Sequence, residues 1–156
     1  MRIESDIKLD YQDVLFKPKR STLTSRKDVD LTRTFKFYNS GKEWTGTPIM
    51  ASNMDGVGTF EMASALMEHD MFTCLVKTYT MQELVAYFDV RDKRQEHVAM
   101  SIGASGEDYG KLRNVIELTD GGVKYVCVDV ANGYQERFSE YIEQIRVNHP
   151  ELVIIA

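Results

Sequence analysis

Two charged side chains stand where otherwise apolar runs end. Lys77 closes Phe72-Thr73-Cys74-Leu75-Val76, and Asp129 follows Val123-Lys124-Tyr125-Val126-Cys127-Val128. A cation in such a place can contact a phosphate, an amide or a developing negative charge. It can equally be a solvated strand end, or a partner for Asp129. A carboxylate at the carboxyl end of a buried strand is costly unless it is paired or solvated in a pocket. Acids at such ends commonly accept ribose hydroxyls or orient a base. The competing role is to cap the helix that begins a few residues on. Asn132 and Gly133 stand closer to that start and are the better caps, which tilts Asp129 towards a ligand.

Three further groups bear on chemistry. ASNMDGVGTF (51–60) places Gly56 and Gly58 in a strand-to-helix loop with Ser52, Asn53 and Asp55. It is not GxGxxG, so a Rossmann site has weak support; small residues there let a ligand approach the backbone, or simply make a tight turn. KPKRSTLTSRK (17–27) carries Lys17, Lys19, Arg20, Arg26 and Lys27 with no acid. It reads as an anion site for a nucleotide phosphate, on a neighbouring subunit, or as a solvated loop, which composition alone favours. Cys74 and Cys127 fall inside apolar runs, and by parity Cys127 shares a face with Tyr125 and Asp129. A nucleophile needs an exposed loop position and an activating neighbour, so both read as small hydrophobes. His69, His97 and His149 give no HExxH or other metal spacing.

Composition narrows the partners. The 156 residues carry 19 Lys plus Arg against 24 Asp plus Glu, a formal charge of −5, which argues against bulk nucleic-acid binding. The 43% hydrophobic and 28% charged residues are globular proportions and exclude disorder. The apolar runs are far shorter than a membrane span, and the charged opening MRIESDIKLDYQDV lacks the apolar stretch of a secretory signal. Two cysteines outside any CxxC pair suggest reduced thiols in the cytoplasm.

The elements that must hold these residues alternate. Runs rich in β-formers occur at 47–52, 71–77, 97–103, 123–131 and 152–156. Helical spacing fills the gaps, so right-handed crossovers and a parallel sheet are expected. Thr59 caps FEMASALMEH, Thr80 to Glu83 is a capping box for MQELVAYF, and KLRNVIEL (111–118) groups Leu112, Val115 and Ile116. In 134–148, Tyr134, Phe138, Tyr141, Ile142 and Ile145 share one stripe. Residues 1–46 read as an N-terminal extension to a single domain, with a hairpin in FKFYNSGKEWTG, turns at Gly41 and Gly46, and Trp44 in packing. Five strands can be a complete open sheet or the first part of a closed barrel of eight. The polar strand ends and the stop in an apolar strand favour an α/β barrel, whose ends converge on one active face. A whole barrel needs about 250 residues, so 1–156 is expected to be its N-terminal portion.

DIKLDYQDVLFKPKRSTLTSR, NMDGVGTFEMA and CVDVANGY, in that order, closely resemble the IMP dehydrogenase/GMP reductase family from about residue 3 onward. Asn53 stands where the dehydrogenase branch typically has Pro, and no regulatory insertion appears, so the likeness is to the reductase branch. The resemblance implies a cytoplasmic TIM barrel, usually a homotetramer, that reductively deaminates GMP to IMP and ammonia with NADPH. It implies that Ser25 and Arg26 meet the cofactor of a neighbouring subunit, and that Lys77, Asp129, Val130 and Ala131 line the cofactor site. It implies that Ser52 and Met54 lie near the purine. Gly56, Val76 and Thr78 depart from the family's usual Thr and flanking histidines. The family's nucleophilic loop cysteine and potassium-binding loop are expected beyond Ala156. No catalytic or metal-binding residue is therefore assigned within 1–156, and that segment alone is expected to be inactive. IMP dehydrogenase and a non-enzymatic nucleotide-binding or subunit-mixing module are the competing readings.

Overall fold

The protein is described by a computed structural model covering residues 5–90, 92 and 94–156. It divides into two units, one ending at Asp30 and one spanning Leu31–Ala156. The first unit holds two single 3-10 turns, Tyr11–Asp13 and Arg26–Asp28, each closed by a capping box, Asp10 with Asp13 and Ser25 with Asp28. Its described residues are exposed throughout, including Ile7, Leu15 and Phe16.

The second unit opens with an antiparallel hairpin, β1 (Arg33–Lys36) and β2 (Glu43–Gly46). Gly41 makes the turn at φ +68°, a conformation that glycine adopts without a Cβ penalty. Gly46 makes no turn. It lies within β2, where a methyl group would strike the Asp70 carbonyl oxygen and stand 2.6 Å from the Trp44 ring. Trp44 is 7% exposed and meets Phe72 and His97 edge-on. The hairpin thus packs with the strands that follow, inside the unit that begins at Leu31.

Five parallel strands follow: β3 (Met50–Ala51), β4 (Phe72–Cys74), β5 (Val98–Ile102), β6 (Tyr125–Val128) and β7 (Val153–Ile155). Each pairs with its predecessor, in the order β3-β4-β5-β6-β7. A doubly wound sheet reverses its strand order at a switch point; this sheet never does, as expected for five consecutive strands of a (β/α)8 barrel.

The connecting helices are α1 (Phe60–Met67), α2 (Met81–Phe88), α3 (Arg94–His97), α4 (Gly106–Leu118) and α5 (Glu136–Asn148). Thr59 caps α1 by accepting the Met62 N–H, and the Thr80/Glu83 box opens α2. The helix predicted over 111–118 starts at Gly106, because Ser105 and Asp108 form a further capping box there. The one-turn α3 has no apolar periodicity to announce it. At α5 the expected caps are corrected. Asn132 Oδ1 instead accepts the Tyr134 N–H at 3.0 Å, a local turn, while Gln135 holds the cap position without a side-chain bond. Tyr134, fully exposed, drops out of the stripe; Phe138, Tyr141, Ile142 and buried Ile145 remain in it. Leu75, Val98, Met100, Ile102 and Val126 face this helical layer in one large core. Phe72, Cys74, Ala99, Tyr125 and Val153 face the other way, with Trp44, in a second.

Candidate functional site at the strand ends

Strand register sorts the inward side chains into layers. A shear of eight over eight strands staggers neighbours by about one residue each, and alternate strands fill one layer. Phe72 and Tyr125 make the lowest such pair, with ring centroids 5.0 Å apart. Met50, Ala99 and Ile155 come next, then Cys74 with Cys127. Above them the strands end, and the polar residues begin.

At that rim Lys77 Nζ lies 3.6 Å from Asp129 Oδ2. The side chains are 50% and 45% exposed, so the pair contributes at most about 1 kcal/mol to stability. The separation also exceeds a charge-assisted hydrogen bond of about 2.7–2.9 Å, leaving the ammonium free to donate and the carboxylate free to accept. Both earlier readings of Lys77 therefore meet here: it partners Asp129 and retains capacity for a ligand. The Asp129 N–H extends the ladder by donating to Ile102 O at 2.9 Å, which anchors its backbone. Val130, half-buried, and Ala131, exposed, follow on the same loop.

Two devices set the geometry of this rim. After β3, the Met54 carbonyl accepts from both Val57 and Gly58, and Gly58 O accepts from Val76 N–H at 2.8 Å. A methyl on Gly58 would strike the Cys74 carbonyl oxygen and stand 2.8 Å from Val76 N. The missing side chain is what lets the loop bearing Ser52 and Met54, both exposed, sit against the end of β4. Gly56 has φ +73° and open space around it, so the glycine that departs from the family's usual Thr serves a left-handed turn.

The second device was not legible in the sequence. Lys111 of α4 donates to the carbonyls of Lys77, at 3.2 Å, and Tyr79, fastening the loop after β4. Burial lowers its pKa, against the opposing charges of Asp108 and Glu83. Burial works against the Asp108 charge, but the Ser105 hydroxyl, the Gly103 and Ser105 N–H groups and Lys77 outweigh it and leave its pKa below the ordinary value. Ser105 spaced three residues before Asp108 was the available signal. Beside Val130 a cavity of about 330 Å³ is lined by Ser105, Gly106, Asn132, Arg137 and Phe138, adding an arginine that sequence reasoning missed. Ser25 and Arg26 lie in the first unit, Ser25 accepting the Lys27 N–H and Arg26 exposed.

The domain model described as IMP dehydrogenase / GMP reductase domain matches residues 8–156. The chain belongs to the IMP dehydrogenase/GMP reductase family. GMP reductases of Aliivibrio salmonicida and Vibrio parahaemolyticus are each 46% identical over 157 aligned positions, covering the whole of this chain and 45% of the relative. That of Vibrio vulnificus is 45% identical with the same coverage. The chain therefore spans a little under half the length of these relatives. Inosine 5′-monophosphate dehydrogenase from Legionella pneumophila superimposes with a TM-score of 0.72 at 24% identity, over 92% of this chain and 42% of that one. The family's barrel fold is confirmed by that likeness. Among the described residues no helix is long and apolar enough to cross a membrane, and no three His, Cys, Asp or Glu side chains gather where they could hold a metal ion.

Proposed function

We propose that this chain supplies the first five strands of an NADPH-dependent enzyme that reductively deaminates GMP to IMP and ammonia. The observation that carries the reading is 46% identity with GMP reductases along the whole chain. In that reaction the bond to the purine's exocyclic amine breaks and ammonia departs. NADPH supplies the hydride that takes its place.

The residues at the rim fit such a cofactor. Asp129 offers a half-solvated carboxylate to ribose hydroxyls, and Lys77 offers donors to an amide or phosphate oxygen. Val130 and Ala131 present backbone beside the cavity that holds Arg137. Ser25 and Arg26 would meet the cofactor of a neighbouring subunit in a cytoplasmic homotetramer, where the Arg26 guanidinium suits the 2′-phosphate. Ser52 and Met54 would position the purine across the Gly58 contact. Neither cysteine of this chain serves as the nucleophile. That group, and the potassium loop, would come from sequence beyond Ala156.

The test is a purine and nicotinamide panel on an enzyme carrying this chain. Oxidation of NADPH that requires GMP and releases ammonia is the expected result. Reduction of NAD by IMP, with no GMP-dependent oxidation, would overturn the assignment in favour of the dehydrogenase. Residues 1–156 alone should give neither reaction.

A further inference from the structure

The loop after β4 is anchored on either side of Lys77. The Val76 N–H donates to Gly58 O at 2.8 Å. Two residues past Lys77, the Tyr79 ring stacks on Phe60 with centroids 3.9 Å apart, and its hydroxyl accepts the Phe60 N–H at 3.2 Å. Between these points, among the described residues, the only hydrogen bond to the Lys77 backbone comes from Lys111 Nζ, at 3.2 Å to the carbonyl. The same ammonium donates to the Tyr79 carbonyl, so it bridges residues 77 and 79.

The Lys77 side chain does not hold itself in place. Its ammonium stands 3.6 Å from Asp129 Oδ2 with both side chains about half exposed, and pairs so placed hold a long side chain only weakly against its rotamer freedom. Where Nζ points is therefore set by the peptide that carries it, and that peptide is fixed from α4. Two features keep Lys111 on this task. An ammonium has three donors, and the two carbonyls leave one spare. The carboxylates whose charges act on it, Asp108 and Glu83, are occupied by their own capping boxes. Asp108 Oδ2 accepts the Ser105 N–H at 3.1 Å, and Glu83 Oε2 accepts the Thr80 N–H at 2.7 Å. They offset the charge of Lys111 without drawing it off the carbonyls.

We propose that Lys111 is a positioning residue for the cofactor: by bridging the carbonyls of Lys77 and Tyr79 it fixes the peptide from which Lys77 addresses an oxygen of the nicotinamide dinucleotide. The proposal rests on the reading of Lys77 as a cofactor contact. Lys111 itself need not touch the ligand. Because Val76 and Tyr79 keep their own anchors, loss of the bridge frees residues 77 and 78 and leaves the loop bearing Ser52 and Met54 seated through Gly58.

The experiment is steady-state kinetics on an enzyme carrying this chain, native and as Lys111→Met, Lys77→Met and the double variant, each checked by circular dichroism. Methionine keeps the length and helix preference of the lysine stem and removes its donors. Lys111→Met should raise the KM for NADPH by about 10-fold, the loss found when an orienting partner behind a metal ligand is removed, and leave the KM for GMP near its native value. In the Lys77→Met background the same change should add nothing, because the two residues act as one unit. Lys111→Arg, with N–H groups for both carbonyls, should recover most of the loss. The proposal is overturned by an unchanged KM for NADPH in a folded Lys111→Met variant, or by a full further loss in the Lys77→Met background. It is overturned equally if both KM values rise together, if arginine does no better than methionine, or if Lys111→Met does not fold, which would make the residue structural. Reduction of NAD by IMP in the native enzyme would instead overturn the reductase reading, and the same comparisons would then be made on the KM for NAD.

Discussion

Glycines 56 and 58 lie two residues apart in one loop, yet substitution should harm them for opposite reasons. At Gly56 there is room but the backbone is left-handed, φ +73°. Alanine there should cost about 1–2 kcal/mol from the clash of Cβ with its own backbone, and asparagine, which tolerates this region, should cost less. Gly58 lacks that backbone penalty and has no room. A methyl would overlap the Cys74 carbonyl and approach Val76 N to 2.8 Å and Ser52 O to 3.0 Å. All three are backbone atoms, so no rotamer change relieves the contact. The loop must lift from β4, sacrificing the 2.8 Å bond from Val76 N–H to Gly58 O. That loses about 1 kcal/mol for the bond and about 1–3 for the overpacking, so Gly58→Ala should cost about 2–4 kcal/mol. Asparagine at 58 should be worse than alanine. Urea unfolding of the four variants measures each cost as a shifted midpoint at constant slope. The reasoning is refuted if asparagine is no better than alanine at 56, or if Gly58→Ala unfolds with the native midpoint.

In an enzyme carrying this chain, Arg26→Ala should raise the KM for NADPH well above its effect on NADH, because only NADPH offers a 2′-phosphate; equal losses in steady-state kinetics would assign Arg26 elsewhere. Asp129→Asn removes charge at constant size and should lower cofactor affinity or turnover while leaving the melting temperature within a few degrees, since the exposed Lys77 pair contributes at most about 1 kcal/mol; a large drop in melting temperature with full activity would show a structural role. Asp108 and Glu83 have folded pKa values below their ordinary 3.8 and 4.5, so their contribution is fully present above about pH 4.5 and is lost as pH falls through the folded values. Thermal unfolding from pH 6 to 3 should show that loss, and Asp108→Asn should flatten it.

Much of this architecture was readable because its signals are local. Thr59, and Thr80 with Glu83, announce helix starts through side chains that satisfy the first free N–H groups. The β-rich runs locate the five barrel strands of the described residues, although only Phe72–Cys74 of 71–77 and Tyr125–Val128 of 123–131 form full strand; beyond those bounds single bonds such as Leu75 N–H to Ala99 O and Asp129 N–H to Ile102 O carry the ladder on. Asn132 was misread for a related reason. A short polar side chain satisfies whichever N–H is nearest, and here that is Tyr134 in a turn before the helix. Lys111 was invisible because its partners are the carbonyls of residues 77 and 79, and a backbone acceptor leaves no mark on residue type.

The same distinction explains the rim. Lys77 and Asp129 could be nominated singly from their positions, but their meeting depends on stagger. With one residue of offset per strand, β4 and β6 bring residues 72 and 125, then 74 and 127, to common levels. The alternation that hides Cys127 among apolar neighbours is what sets Asp129 two residues higher on the same face. Lys77 lies one residue past strict alternation, and it reaches Asp129 because β4 ends at Cys74 and its continuation is held by Gly58 below and Lys111 beside it. The charged pair is therefore a product of where the strand stops pairing, and the two contacts that stop it are as much a part of the site as the charges themselves.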